Sequence, residues 1–288
     1  MFLRLILIIF SLNLYSSELS LEIIKISEKV LPGIPLMEYI IIKLNNESNR
    51  DLKFYYNPST WVELEVIGDV KYYEEDIPYV LRTPFSSSQV LKAGEHKICG
   101  FRNKIFIEEG KIKVKAILDS NNIKKLAPPE YWKDLWIGRI ESEEVDLEVR
   151  FENNKDKEVF NRYARQFKEY FDMIRPNMEE ILENYPTSTY AGWALFRMPN
   201  ASWGIKNEET DKQRKRYRDM VEIFLQHHPE FIYSGTLALT AAYIALDFKD
   251  YKGACELFKK AKELPKKFPL TKEEEEIYKK LKDEGKCK

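Results

Sequence analysis

His96 and Cys99 stand three residues apart, the types from which a thiolate nucleophile and its general base are built. On a strand, residues at that spacing project from opposite faces, so the two cannot share a proton. His227 and His228 are the second pairing with chemical potential, as ligands to a metal ion. Neighbouring residues of a helix point about 100° apart, so the two imidazoles cannot close on one ion. They read instead as positive side chains at a helix C-terminus, just before Pro229. Glu273-Glu274-Glu275-Glu276 gathers four carboxylates. That run is the solvated first turn of a helix, where negative charge is favoured and Lys279 and Lys280 answer one turn later. The chain has no G-x-S-x-G, no H-E-x-x-H, no P-loop and no dinucleotide fingerprint. The expectation is therefore a protein with no catalytic residue, no cofactor and no metal. A hydrolase of envelope polymers acting through scattered carboxylates has no motif behind it.

The elements that would position side chains fall into two halves of different period. From Leu21 to Phe151 the pattern alternates, as in Lys111-Ile112-Lys113-Val114-Lys115-Ala116 and Val145-Asp146-Leu147-Glu148-Val149-Arg150-Phe151. Val62, Leu64 and Val66 alternate with Trp61, Glu63 and Glu65, and Ile40, Ile42 and Leu44 share one side of another run. Such alternation predicts strands with one dry and one wet face, as in antiparallel sheets packed on their dry faces. Turn signals punctuate the runs at Pro32-Gly33, Ala93-Gly94-Glu95 and Asp119-Ser120-Asn121-Asn122.

A polar stretch, Glu152-Asn153-Asn154-Lys155-Asp156, reads as the linker. Beyond it Phe160, Tyr163, Ala164, Phe167 and Phe171 follow helical spacing. Further helices are predicted over about 175–184, 189–198, 213–227, 233–247, 250–263 and 271–284, with Pro199–Asp211 as an inserted loop. Two stretches echo one another 43 residues apart: Ile181–Pro186 followed by Tyr190-Ala191-Gly192, and Phe224–Pro229 followed by Tyr233-Ser234-Gly235. Each spells the end of one helix, a proline turn and the start of the next. A period of this size marks helix hairpins that stack to bury faces no single hairpin can bury.

Two family resemblances follow. The order Leu91-x-Ala93-Gly94-Glu95, Gly110-x-Ile112-x-Val114-x-Ala116, Trp136-x-Gly138, Ser142-x-x-Val145-x-Leu147-x-Val149 resembles the back half of immunoglobulin-like sandwich domains of secreted bacterial proteins. That resemblance implies a core or edge-packing role for Trp136. Some relatives of this shape are proteinase inhibitors that act through loops, and the insertions Asp69–Ser88 and Ile123–Leu135 would be the contact loops here. In the second half, Ala238, Ala241, Ala242 and Ala245, then Tyr251, Ala254, Phe258 and Ala261, resemble the tetratricopeptide repeat. This chain departs from that pattern in having Ala245 where the first helix usually carries an aromatic, and in closing early at Pro265. The resemblance places Trp193, Phe196, Thr236, Leu239 and Tyr243 on the concave side, where such repeats hold extended peptides. Trp203, in the inserted loop, is a further surface candidate.

The expected fold is thus all-β followed by all-α: an immunoglobulin-like antiparallel β-sandwich over 18–152 and a tetratricopeptide-like α-helical superhelix over 156–288. Residues 1–17 form a third segment. Arg4, the apolar run Leu5–Phe10 and the small pair Ser16-Ser17 have the shape of a secretory signal peptide. The apolar run ends within about 10 residues where spanning needs roughly 20, so no stable membrane span is expected after cleavage. Localisation is then secreted or periplasmic, in a bacterial cell envelope. Formal net charge is -1, with no basic excess for a nucleic acid partner. Of the three cysteines, Cys99 reads as a small buried hydrophobe in a strand. Cys255 and Cys287 share the helical half; a straight hairpin places Cys287 too far along to meet Cys255 unless the tail folds back. The function expected is non-enzymatic binding of a protein or peptide, with proteinase inhibition through the sandwich loops as the alternative.

Overall fold

The computed structural model describes residues 18–27, 29–55, 62–76, 88–121, 129, 132–163, 175–198, 208–267 and 269–287. The expected signal segment 1–17 lies outside them. The chain divides into two compact units, Met1–Arg150 and Phe151–Lys288. Among the described residues the first is built of strands and the second of seven α-helices.

In the first unit, alternation in sequence becomes alternation in burial. β3 (Ile40–Asn46) buries Ile40, Ile42 and Leu44, and β5 (Val62–Ile67) buries Val62 and Leu64 while exposing Glu63 and Glu65. Each such Val, Leu or Ile contributes about 1.5–3 kcal/mol on leaving water. β3 lies between β1 (Leu19–Lys25) and β8 (His96–Cys99), antiparallel to both. The longest strand, β10 (Gly110–Asp119), carries β5 along one edge. Its other edge pairs first with β12 (Val145–Val149) and then with β11 (Arg139–Glu141). Between those two, Ser142 bridges the break: its N–H donates to the Ala116 carbonyl at 2.9 Å and its Oγ accepts from the Ala116 N–H at 2.9 Å. β1 lies against β10 and β11. β2 (Lys29–Val30) pairs in parallel with β12, and β4 (Leu52–Tyr55) pairs with β7 (Ser88–Leu91).

Two buried amides join strands that do not share a ladder. Asn103 opens β9 (Asn103–Ile107); its Oδ1 accepts from the Leu64 N–H and its Nδ2 donates to the Leu64 carbonyl, both at 2.9 Å. A side-chain amide thereby completes the backbone pairing of β5. Asn46 donates to the carbonyls of Arg50 and Leu91, both at 2.9 Å, and so ties the end of β3 to the β7–β8 turn. Trp136 and Gly138 also act together, since a Cβ on Gly138 would meet the indole at 2.8 Å. The expected insertion Asp69–Ser88 is corrected in part. It opens with β6 (Tyr72–Asp76), antiparallel to β9, because β9 needs a partner on that edge.

The helices of the second unit are α1 (Asn154–Tyr163), α2 (Arg175–Asn184), α3 (Thr189–Arg197), α4 (Glu208–His227), α5 (Ser234–Asp247), α6 (Tyr251–Glu263) and α7 (Lys272–Asp283). α4 starts earlier than expected because Glu208, Glu209 and Asp211 favour a helix N-terminus. Both echoed stretches fall where a helix ends, the chain turns and the next helix begins. α5 and α6 meet through Ala238, Ala241, Ala242, Ala245, Ala254 and Ala261, all fully buried, with Phe258 filling the seam. On α4, Arg214 pairs with Asp247, and Arg218, one turn on, with Asp250 at 3.0 Å. These ion pairs hold the α5–α6 turn, where Lys249 has φ 60 and Asp250 caps α6 by accepting from the Gly253 N–H at 3.0 Å.

Cys255 and Cys287 are disulfide-bonded, with Cα atoms 5.4 Å apart. The tail does fold back: after α7, Gly285 turns left-handed at φ 70 and donates to the Lys282 carbonyl at 3.0 Å, and Lys286 donates to the Leu281 carbonyl at 3.0 Å. That is a Schellman cap, which reverses the chain and returns Cys287 to α6.

The expected linker is also corrected. Asn153 caps α1 by accepting from the Asp156 N–H at 2.9 Å, and Asp156 is wholly buried. Its carboxylate accepts from the Thr189 N–H at 2.7 Å and the Thr189 hydroxyl at 2.9 Å, so α1 caps the start of α3. Burial raises the Asp156 pKa above its ordinary value, while Thr189 and His228 oppose that shift. A raised acid pKa gives stability that is full below pH 3.8, the unfolded value, and lost as pH climbs through the folded value. Asp156→Asn keeps an acceptor for the Thr189 N–H, turns its amide N–H toward the Thr189 hydroxyl oxygen and carries no charge. Urea unfolding should therefore show the wild type losing stability relative to Asp156→Asn as pH rises from 3.8. Asp156→Ala should cost about 2 kcal/mol by leaving the half-buried Thr189 donors unmet.

Candidate functional site

The aromatic side chains of α3 and α5 are placed by the proline turns between helices. Trp193 is only 2% exposed. Its indole meets the rings of Phe196, Phe231 and Tyr233 edge-on at 6.0, 5.6 and 5.4 Å. The expectation that Trp193 meets a partner is thus corrected. The chain segment entering α5 carries Phe231 and Tyr233 back over α3 and encloses the indole. Phe196, three residues on, is half-buried; its ring stacks on Tyr233 at 3.9 Å and lies under the Arg197 guanidinium at 5.5 Å.

Thr236, Leu239 and Tyr243 follow i, i+3, i+7 spacing and so share one face of α5. All three retain solvent contact, Tyr243 most at 37%. Thr240, beside them, is half-buried and its hydroxyl donates to the Thr236 carbonyl at 3.1 Å. Tyr233 lies one turn before Thr236, which joins Phe196 to the same strip. At the far end the back of Tyr243 rests edge-on against Phe258 at 5.7 Å. Burial raises the Tyr243 phenol pKa, and Glu274 and Glu273 at the start of α7 raise it further. The strip therefore runs from aromatic, through small hydroxyls and leucine, to a phenol with carboxylates nearby. Trp203 lies outside the described residues, as does most of the span from Ile77 to Ser87 and from Asn122 to Tyr131 where the expected sandwich loops fall.

Of the residues weighed for chemistry, Cys99 and His228 have structural occupations. His96 is exposed and Cys99 buried on the same strand, on opposite faces as the spacing requires. His228 stacks on Phe224 at 5.0 Å, with Nε2 at 2.8 Å from the Thr187 carbonyl and Nδ1 at 3.3 Å from Glu230. Tyr217 donates to the Leu195 carbonyl at 3.1 Å, and burial pushes its pKa up. Among the described residues, no group of three or more His, Cys, Asp and Glu side chains is placed to hold a metal. No helix among them is long and apolar enough to cross a membrane.

Sequence reasoning missed other exposed apolar side chains: Tyr72 and Tyr73 on β6, Val90 on β7, Ile98 on β8 and Ile223 on α4. They are scattered over separate elements, and single exposed apolar residues are ordinary. The outer face of the β10 sheet is occupied differently. Lys115 pairs with Glu65 at 3.0 Å and Glu141 at 2.9 Å, Lys113 with Glu144 at 3.0 Å, and Arg139 with Glu141 at 2.8 Å. Hydrogen bonds from Arg139 and Lys115 hold the Glu141 pKa below its usual range.

No family model and no curated protein matches the chain. Among solved structures, native alpha-2-macroglobulin from Escherichia coli, in a fragment from domain MG7 to the C-terminus, aligns at 12% identity and a TM-score of 0.25. The alignment covers 91% of this chain, which spans 41% of that fragment. A likeness at this level carries no argument.

The strip and its support should separate by mutation. Trp193→Ala empties a fully enclosed site and should cost about 3–5 kcal/mol in chemical denaturation. Tyr243→Ala removes a side chain that is one-third in water and should cost about 1 kcal/mol or less. Equal losses for the two would mean that Tyr243 is core.

Proposed function

We propose that this chain is an exported, non-catalytic binding protein of the cell envelope, which holds a protein or peptide segment along α5. In this reading the first unit is an immunoglobulin-like β-sandwich and the second a short tetratricopeptide-like superhelix. The antiparallel sheets with alternating burial support the former, and the alanine seam of α5 and α6 with Phe258 supports the latter. The observation that carries the function is the strip Phe196, Thr236, Leu239 and Tyr243. It joins apolar and hydroxyl side chains, lies partly in water and is backed by fully buried side chains, so anchors placed there are held rigid before a partner arrives. Export is supported by the Cys255–Cys287 disulfide, a bond that persists in oxidising compartments, and by the signal-like residues 1–17.

The test replaces Tyr243 with a photo-crosslinking tyrosine analogue in the full chain and exposes the protein to envelope extract. One or a few discrete adducts are expected, and Leu239→Asp in the same protein should abolish them while circular dichroism stays unchanged. Adducts indifferent to Leu239→Asp, or none at all, would remove the strip as a binding face.

A further inference from the structure

Helix α7 is fastened to its unit by very little besides one covalent bond. Of its side chains only Leu281 is buried; Ile277 and Tyr278 are half-buried and most of the rest face water. Among the described residues, no hydrogen bond or ion pair joins Lys272–Cys287 to α1–α6. Its capping box, Thr271 with Glu274, and its ion pairs, Glu284 with Lys280 and Lys286, are all internal. Its contacts with α6 include Tyr278 stacked on Phe258 at 5.9 Å, the Lys286 ammonium over the Tyr251 ring at 4.5 Å, and the disulfide. α5 and α6, by contrast, interlock along a continuous alanine seam.

What α7 covers is specific. Phe258 is fully buried, with the edge contact of Tyr243 at 5.7 Å and the stacked ring of Tyr278 at 5.9 Å. Tyr278 thus lies on the same Phe258 ring that backs Tyr243 at the end of the α5 strip.

We infer that the Cys255–Cys287 disulfide is a redox latch: oxidised, it holds α7 over Phe258, and reduced, it lets α7 leave and opens the strip at Tyr243. The reaction is a two-electron reduction by a dithiol. Cys287 is half-buried and Cys255 buried, so the attacking thiolate reaches Cys287 Sγ and forms a mixed disulfide there. The Cys255 sulfur leaves as thiolate and takes a proton. The second thiol of the reductant then displaces Cys287 as its thiol, and the reductant departs as a disulfide. Two protons and two electrons pass to the protein. Cys99, buried in the other unit, takes no part.

The latch itself stands apart from the proposed binding function; only its effect on the strip rests on that reading. The experiment is hydrogen–deuterium exchange on the full chain, oxidised and after dithiothreitol, with a Cys255→Ser, Cys287→Ser double variant as the reductant-free comparison. Amides of 272–284 should exchange at least tenfold faster once the bond is gone, while peptides of α4, α5 and α6 keep their protection. Unchanged protection of α7 would overturn the latch. So would loss of protection across all the helices together, because the disulfide would then be a global staple. If the double variant fails to fold, the reduced wild type decides. Crosslinking at Tyr243 before and after reduction is the second readout, with more adduct expected after. Released α7 without any adduct keeps the latch and sinks the binding reading; equal adduct in both states cuts the link between them.

Discussion

Close approach of α5 to α6 is the contact on which the helical unit rests. α5 carries no charged side chain before Asp247, and a helix apolar on every side must be enclosed by neighbours. Alanines at the seam let the two backbones come together, and Phe258 fills what the small residues leave. The start of α5 is tied to the end of α6 as well. The Gly235 N–H donates to the Pro265 carbonyl at 2.7 Å, and a Cβ on Gly235 would sit 3.0 Å from the carbonyls of Ala261, Leu264 and Pro265. Gly192, at the matching place in α3, is pressed by Phe224, whose ring would lie 2.4 Å from a Cβ. The 43-residue echo is therefore a packing rule: near the start of each of these helices a glycine admits a close neighbour, the Phe224 ring at Gly192 and backbone carbonyls at Gly235.

The same constraint generates the candidate face. α5 is enclosed on its alanine side and left partly in water along Thr236, Leu239 and Tyr243, an arrangement that favours association because each Å² of apolar surface withdrawn from water contributes about 25 cal/mol. The outer face of the β10 sheet is the opposite case. There Glu65, Lys115, Glu141 and Arg139 already satisfy one another. A partner would have to strip water from those ion pairs before gaining anything, which commonly costs as much as it returns.

Much of this architecture was legible because one face of each element is wet. β10 and β12 alternate visibly, and the proline turns announce the helix hairpins. β9 was not legible: all five residues from Asn103 to Ile107 are buried, so no alternation exists to read. Helical spacing gave the direction of Trp193 and Tyr243 alike, but direction says nothing of what lies on top. Trp193 is enclosed because Phe231 and Tyr233 return over it, a contact between residues about 40 positions apart. Asp156 looked like part of a polar linker, since only its partner Thr189 distinguishes a buried carboxylate from a solvated one. The disulfide had one available sign, Gly285 just past the last helix, which marks a reversal of the chain.

Asp156 also shows why perturbed acidity is insufficient to argue chemistry. A carboxyl whose pKa burial has raised is the usual mark of a catalytic acid. Here both oxygens are engaged by Thr189 at the start of a helix, where negative charge is favoured, and the group is wholly enclosed. Burial raises its pKa, and its contacts join α1 to α3. Tyr217 is the same case, its phenol committed to the Leu195 carbonyl. Both groups join helices, Asp156 linking α1 to α3 and Tyr217 linking α4 to α3. What the helical unit leaves partly in solvent along α5 is Thr236, Leu239 and Tyr243.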